Sequence, residues 1–256
     1  MKMKAIDSLA VIVAAVALLM TSTPVHASTT DDRIESSAKK SYVFKTYLEG
    51  DDIKIHSKDG VVSLTGTVSE ESHKSLAQET VADLPGVKSV DNRLEVKGDQ
   101  PAEKSDAWLC AKVKATLLLH QNVSAKTEVS TKDGIVTLQG EATSQAEKDL
   151  TTEYARDVEG VKDVKNEMTV SDTSGRAPWT VIETIDDASI TAQVKMALLF
   201  HRSTSALYTK VRTMHGVVTL SGKARNAAEK DLAAKLVKDI KGVKNVENQM
   251  TIEEFK

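Results

Sequence analysis

Glycine pairs separated by five residues occur three times in this chain: Gly60 and Gly66 in GVVSLTG, Gly134 and Gly140 in GIVTLQG, Gly216 and Gly222 in GVVTLSG. Paired glycines beside a helix-like segment are one way to cradle a phosphate, so they are the first residues to test for chemistry. A Walker-type loop has four residues between its glycines and Lys-Ser or Lys-Thr after the second. Here five intervene, only Gly222 is followed by lysine, and Ala224 comes next. The intervening residues alternate like a strand, which commits their N–H groups to a ladder instead of a ligand.

The histidines beyond residue 27 are His56, His73, His120, His201 and His215. His120 and His201 occupy matching places, but neither has a second ligand at metal spacing, so each reads as a polar residue at a helix end. No nucleophile, base and orienting acid recur in a motif that predicts proximity. Cys110 is the only cysteine; it can form no internal disulfide and reads as a small buried hydrophobe. No positive case emerges for catalysis, a metal site or a cofactor.

The elements around the glycines explain them better. Gly86, Gly160 and Gly242 stand twenty residues after each second glycine, each followed by Val-Lys, and Asn92, Asn166 and Asn248 stand six residues further on. Asp31, Asp106 and Asp187 precede the first glycine by 29, 28 and 29 residues. Landmarks at so many fixed offsets define three homologous modules of about seventy residues each.

Each module opens on a helix. Leu109, Val113 and Leu117 recur on one face after Asp106, as do Ile190, Val194 and Leu198 after Asp187, with the aspartate as an acidic cap. The stripe in the first module is Ile34, Ala38 and Tyr42. Asp59-Gly60 and Asp133-Gly134 are two-residue hairpin signals in which both residues take positive φ, and His215-Gly216 holds that place in the third module. Pairing Lys58 with Val61 puts Ile55, Val62 and Leu64 on one face, and Val129, Val136, Leu138 and Val211, Val218, Leu220 follow suit. Gly60 closes the turn, whereas Gly66 points toward the helices, where a missing side chain permits close approach or a bulge.

A second helix is predicted from about Ser69 to Leu84, with Leu76, Leu150 and Leu232 on its buried side and Gly86, Gly160 and Gly242 as stops. The last segment alternates as a strand with one wet face, and the three asparagines lie on its apolar side. A buried amide needs partners, so each is expected to pin a loop or a neighbouring strand. The fold class is α+β: three tandem αββαβ modules, each a three-stranded mixed sheet with two helices on one face.

The ends set the compartment. Lys2 and Lys4, the apolar run Leu9–Met20 and Val25-His26-Ala27 have the layout of a signal peptide cleaved after about Ala27. The apolar run is shorter than the roughly 20 residues of a bilayer span, and no cysteine near the cut offers a lipid attachment site. The expected division is therefore a signal peptide at 1–27, modules at 28–97, 105–171 and 186–256, and linkers at 98–104 and 172–185. The second linker carries Trp179.

The order helix, hairpin with G-V-V-x-L-x-G, helix, then G-V-K-x-V-x-N-x-L/M-x-V/I closely resembles the BON domain, named for bacterial osmotically inducible and nodulation proteins, over nearly all of residues 31–256. The resemblance implies a periplasmic, stress-linked, non-enzymatic protein that binds phospholipid or envelope components, or serves as a chaperone for exported proteins. It supplies no catalytic residues. An accessory subunit of a cell-wall enzyme is a further reading.

Differences between modules say more about function than the shared landmarks do. Net charge is −4 for residues 31–99, −4 for 102–172 and +4 for 186–256. Lys210 and Arg212 alternate with inward Val211, and Lys223 and Arg225 follow on the next strand, so these four form a candidate outward basic patch. Such a patch suits anionic phospholipid or an envelope glycan. Nucleic acid fits poorly: the compartment is wrong and stacking aromatics are absent. Trp108 sits one residue off its helical stripe, where the third module has Ser189; with Lys112 one turn on, it is a candidate interfacial anchor or partner contact.

Overall fold

The computed structural model of the chain describes residues 25–98, 102–123, 127–171, 184–204 and 206–253. Residues 1–24 of the predicted signal peptide, and Trp179 with most of the second linker, lie outside the described residues.

Module 1 runs α1 (Val25–Lys40), α2 (Tyr42–Thr46), β1 (Asp52–Lys58), β2 (Val61–Val68), α3 (Glu71–Ala82) and β3 (Ser89–Val96). Module 2 runs α4 (Asp106–Leu119), β4 (Glu128–Lys132), β5 (Ile135–Gln139), β6 (Glu141–Ala142), α5 (Gln145–Arg156), β7 (Asp163–Asn166) and β8 (Thr169–Val170). Module 3 runs α6 (Asp187–Phe200), β9 (Thr209–Met214), β10 (Val217–Ala224), α7 (Ala227–Lys238), β11 (Asn245–Asn248) and β12 (Thr251–Ile252), with a 3-10 turn at Ala206–Tyr208 before β9. In each module the hairpin is antiparallel and the last strand returns parallel to the second, giving mixed sheets β1-β2-β3, β4-β5-β7 and β9-β10-β11.

The hairpins have the predicted register. Lys58 faces Val61 and Ile55 faces Leu64; Val129 faces Leu138; Val211 faces Leu220. Both turn residues take positive φ in all three copies, and His215 adopts 53° as Asp59 adopts 55°. The second glycines approach a different neighbour from the one expected. A Cβ on Gly66 or Gly222 would overlap the carbonyl oxygen of Asp52 or Tyr208, so close approach is to the first strand's backbone, not to the helices.

Several local expectations shift. The first-turn aspartates do not cap their helices; Ser105 and Asp186 do, through side chains that accept from Trp108 and Ser189 amides. Instead Asp31, Asp106 and Asp187 reach the hairpin turns, each accepting from both turn amides. The first helix of module 1 breaks at Ser41, and Val43, fully buried, continues the stripe in place of Tyr42. The second helix is shorter than predicted. Leu76 is buried as expected and Leu232 half-buried, but Leu150 is exposed, and the inward row common to all three copies is Ala77 and Val81, Thr151 and Ala155, and Ala233 and Val237.

Asn92, Asn166 and Asn248 pin the second helix, a partner not anticipated. Each Nδ2 donates to the carbonyl of Lys74, Lys148 or Lys230, and each Oδ1 accepts the amide two residues on. A strand amide and a helix carbonyl are thereby satisfied by one side chain.

Modules 1 and 3, separated in sequence, share one hydrophobic core, which Leu119 of module 2 joins, while the rest of module 2 has its own. Helix α3 crosses α6, Glu79 pairs with Lys195 at 2.7 Å, and the amides of Tyr42 and Val43 donate to Asp186 and Ser189. The N-terminal amides of α2, which the break at Ser41 would leave without partners, are thus satisfied by module 3.

Candidate functional site

The outer face of the module 3 sheet follows from its register. Arg212 faces Thr219, Lys210 faces Ser221 and Met214 faces Val217, all on the side opposite buried Thr213, Val218 and Leu220. Lys210 and Arg212 are exposed and enter no ion pair among the described residues, and Met214 beside them is 56% exposed.

The other half of the predicted patch is already neutralised. Lys223 Nζ lies 2.6 Å from Glu253 Oε2, because β12 pairs alongside β10 and brings the following glutamate over. Arg225 Nε lies 3.0 Å from Glu229 Oε2, and the Arg225 amide donates to the same oxygen at 2.7 Å. Glu229 stands in the first turn of α7 and reaches back as in a capping box. The basic patch of four contracts to Lys210 and Arg212.

Lys112 reaches module 3 at Phe200, whereas Trp108 packs against the core of its own module. Lys112 is buried, its Nζ is 4.4 Å from the Trp108 ring centroid and 5.5 Å from that of Phe200, and Glu159 Oε2 is 3.6 Å away. Burial pushes the Lys112 ammonium below the usual lysine range, and Glu159 opposes that shift. Trp108 is half-buried; the pair forms an intramolecular cation–π contact.

The joint between modules 2 and 3 brings together residues that sequence spacing kept apart. Glu159 N donates to Phe200 O and Arg202 N to Asp157 O; reciprocally, Gln121 N donates to Asp239 O and Lys241 N to Leu119 O. The four bonds relate matching positions of the two modules by a local pseudo-twofold. His120 and His201 lie on it, bridging to Ile240 and Val158. The remaining histidines stay within module 1 or at the turn of module 3: His56 beside Glu35, His73 beside Asp51, His215 in its hairpin. Cys110 is half-buried and donates to Val129 O. Among the described residues, no group of three His, Cys, Asp or Glu is placed to hold a metal ion, and no helix is long and apolar enough to cross a membrane.

A groove of about 350 Å³ runs between α3 and α6, lined by Lys74, Gln78, Glu79, Lys195, Leu199 and Val211 among others.

Residues 30–98, 105–172 and 186–254 each match the BON domain. The chain belongs to the BON domain family. Osmotically-inducible protein Y of Escherichia coli (strain K12) is 31% identical to it over 146 residues, 57% of this chain and 71% of that protein. Two solved structures align with most of the chain at 16% identity. CdsD, a structural protein of the type III secretion system of Chlamydia trachomatis, covers 87% of this chain and 91% of its own, with a TM-score of 0.25. The C-terminal domain of CdsD covers 86% and 95%, with a TM-score of 0.23. Scores this low carry no inference.

Within the BON repeat, the joint was the feature that sequence reasoning missed. One signal pointed to it: His120 and His201 recur in modules 2 and 3 at a helix end where the fold itself asks for no histidine.

Proposed function

We propose that this protein is a non-enzymatic periplasmic protein of osmotic or envelope stress that docks on anionic phospholipid, or another anionic envelope surface, through its third BON module. The carrying observation is the exposed pair Lys210 and Arg212, without ion pairs among the described residues, beside exposed Met214 on one sheet face. Two cations near an anionic surface contribute about 2 kcal/mol together, and Met214 adds an apolar contact at the tip. Binding of that strength is reversible and falls with salt. The stress link draws on the name of the osmotically inducible relative and on the family. Export draws on Lys2, Lys4 and the apolar run that follows them.

Co-sedimentation with anionic and neutral vesicles tests the reading. The intact chain should sediment with anionic vesicles only, and Lys210→Gln with Arg212→Gln should abolish this, whereas Lys223→Gln, whose charge is already paired, should have little effect. Equal binding to neutral vesicles would sink the proposal.

A second reading, holding exported client proteins, is favoured by Leu199, which is 49% exposed and lines the groove between α3 and α6. It requires suppression of aggregation of an unfolded client without lipid, lost in Leu199→Ser.

A further inference from the structure

We propose that the joint between modules 2 and 3 is a proton-operated latch, closed while His120 is neutral and released when it takes up a proton. His120 is fully buried, and among the described residues neither ring nitrogen has a hydrogen-bond partner. Its ring stacks on Tyr154, 3.7 Å between centroids and 9° from parallel. Both rings sit where the two modules exchange their backbone hydrogen bonds. A cavity of about 10 Å³, the size of a single water, lies beside them, lined by the two rings, by Thr116, Asp157 and His201, and by apolar Val158, Ala197 and Leu236.

The surroundings leave a second proton on His120 without an acceptor. From α5 and its turn come Tyr154 and Asp157, from the end of α6 His201, and from the turn after α7 Asp239 and Lys241; His120's own helix contributes Thr116. The Asp239 carboxylate already accepts from Tyr154 Oη at 2.9 Å, and its carbonyl from Gln121 N. That carbonyl favours the charged ring but does not reach hydrogen-bond geometry with it. Asp157 faces His201, with 3.6 Å between its Oδ2 and Nε2. Lys241 and His201 oppose any further positive charge. Burial above all therefore lowers the His120 pKa from 6.5 to about 4.

The sign follows from linkage. The closed joint binds the proton more weakly than the open one, so closure is fully favoured above about pH 6.5 and weakens progressively as pH falls toward 4. At pH 4.5 the closing equilibrium should be weaker by roughly twentyfold to a hundredfold. Opening would bare the ends of α4, α5, α6 and α7, with Phe200, Leu119 and the stacked rings, while leaving each BON module its own hairpin and helices.

Hydrogen exchange on the full chain reads the latch directly, because the amides of Gln121, Glu159, Arg202 and Lys241 are the ones that cross it. Expressed as protection factors, which remove the intrinsic pH dependence of exchange, protection at these four should fall by that ratio between pH 7 and 4.5. Amides of β2 and β10 should keep theirs, and His120→Phe, which preserves the stack without a titrating nitrogen, should hold the four protected. Constant protection in the unaltered chain, equal loss in β2 and β10, or equal loss in a folded His120→Phe would overturn the latch. Should His120→Phe not fold, NMR titration of the His120 ring in the unaltered chain decides: a pKa below 5 supports the latch, and one of 5 or above overturns it.

Discussion

The carboxylate of Asp187 accepts the backbone N–H of Gly216 at 2.8 Å across 29 residues of sequence. Asp106 holds Gly134 at 2.8 Å and Asp31 holds Gly60 at 3.0 Å in the same way. A β-turn with positive φ at both central residues points its amides outward together, and one carboxylate satisfies both. Each aspartate belongs to its module's first helix and, in α4 and α6, to the first turn, where the helix dipole also favours negative charge. One side chain thus fastens the first helix of each module to its hairpin, which explains why the acid and the glycine keep their spacing.

Asp187→Ala should destabilise module 3 by about 2 kcal/mol, the scale for losing charge-assisted bonds to backbone amides. Asp187→Asn should cost less, since an amide oxygen still accepts. Urea unfolding followed through amides of β9 and β10 measures both. Equal stability of the three proteins would show that the turn amides are satisfied by water.

Acid should weaken module 1 through Asp31. The Ser57 hydroxyl, then the Gly60 amide, holds its carboxyl below the usual value of 3.8. With the folded-state value depressed, the contribution is present above about pH 3.8 and is lost as pH falls through the lower folded value. The stability difference between the unaltered chain and Asp31→Asn, measured by urea midpoint, should therefore be constant from pH 7 to 5 and shrink below pH 4. A difference that persists to pH 2.5 would assign the effect to hydrogen bonding alone.

The second glycine of each pair is predicted to be the least replaceable. Gly222 has φ of 107°, and an added Cβ would collide with the Tyr208 carbonyl, a backbone atom that cannot swing away. Gly222→Ala should cost 3 kcal/mol or more, by order of magnitude, from strain and a displaced strand. Gly50, where nothing lies within 4 Å, is the control: Gly50→Ala should stay within about 0.5 kcal/mol of neutral. Thermal unfolding of the two variants compares them.

The hairpins and sheets were legible because their signals are local: Asp-Gly or His-Gly at the turn and a period of two on either side determine which residues pair. The asparagines could be placed on the apolar side of their strand, where they are half-buried, but not matched to a partner, since Lys74, Lys148 and Lys230 contribute only a backbone carbonyl, which any residue has. The basic patch was overcounted for a similar reason. Glu253 reaches Lys223 only because β12 lies parallel to β10, a pairing set by the return of a helix rather than by nearby residues. Contacts between modules left the weakest trace, because Ser189, Phe200 and His120 are ordinary residues on their own helices and acquire a role only when another module covers them.

Ser189 offers the clearest test of that last point. It occupies the place that Trp108 holds in module 2, is fully buried, accepts the Val43 amide at 3.1 Å and donates to Asp186 at 2.8 Å. Module 1 sits where a tryptophan at this position would project, so Ser189→Trp must either strain the shared core or push module 1 away. Overpacking costs about 1–3 kcal/mol, and the lost hydrogen bonds add to it, which together should favour detachment. Small-angle scattering should show a larger radius of gyration, and the amides of Tyr42 and Val43 should lose exchange protection while Glu159 and Lys241 keep theirs. Trp108→Ser, made in module 2 where the side chain packs on Lys112 and that module's own core, should leave both readouts unchanged. An unaltered radius with full protection in Ser189→Trp would overturn detachment, and unprotected Tyr42 and Val43 amides in the unaltered chain would mean that module 1 is not seated on α6 in solution.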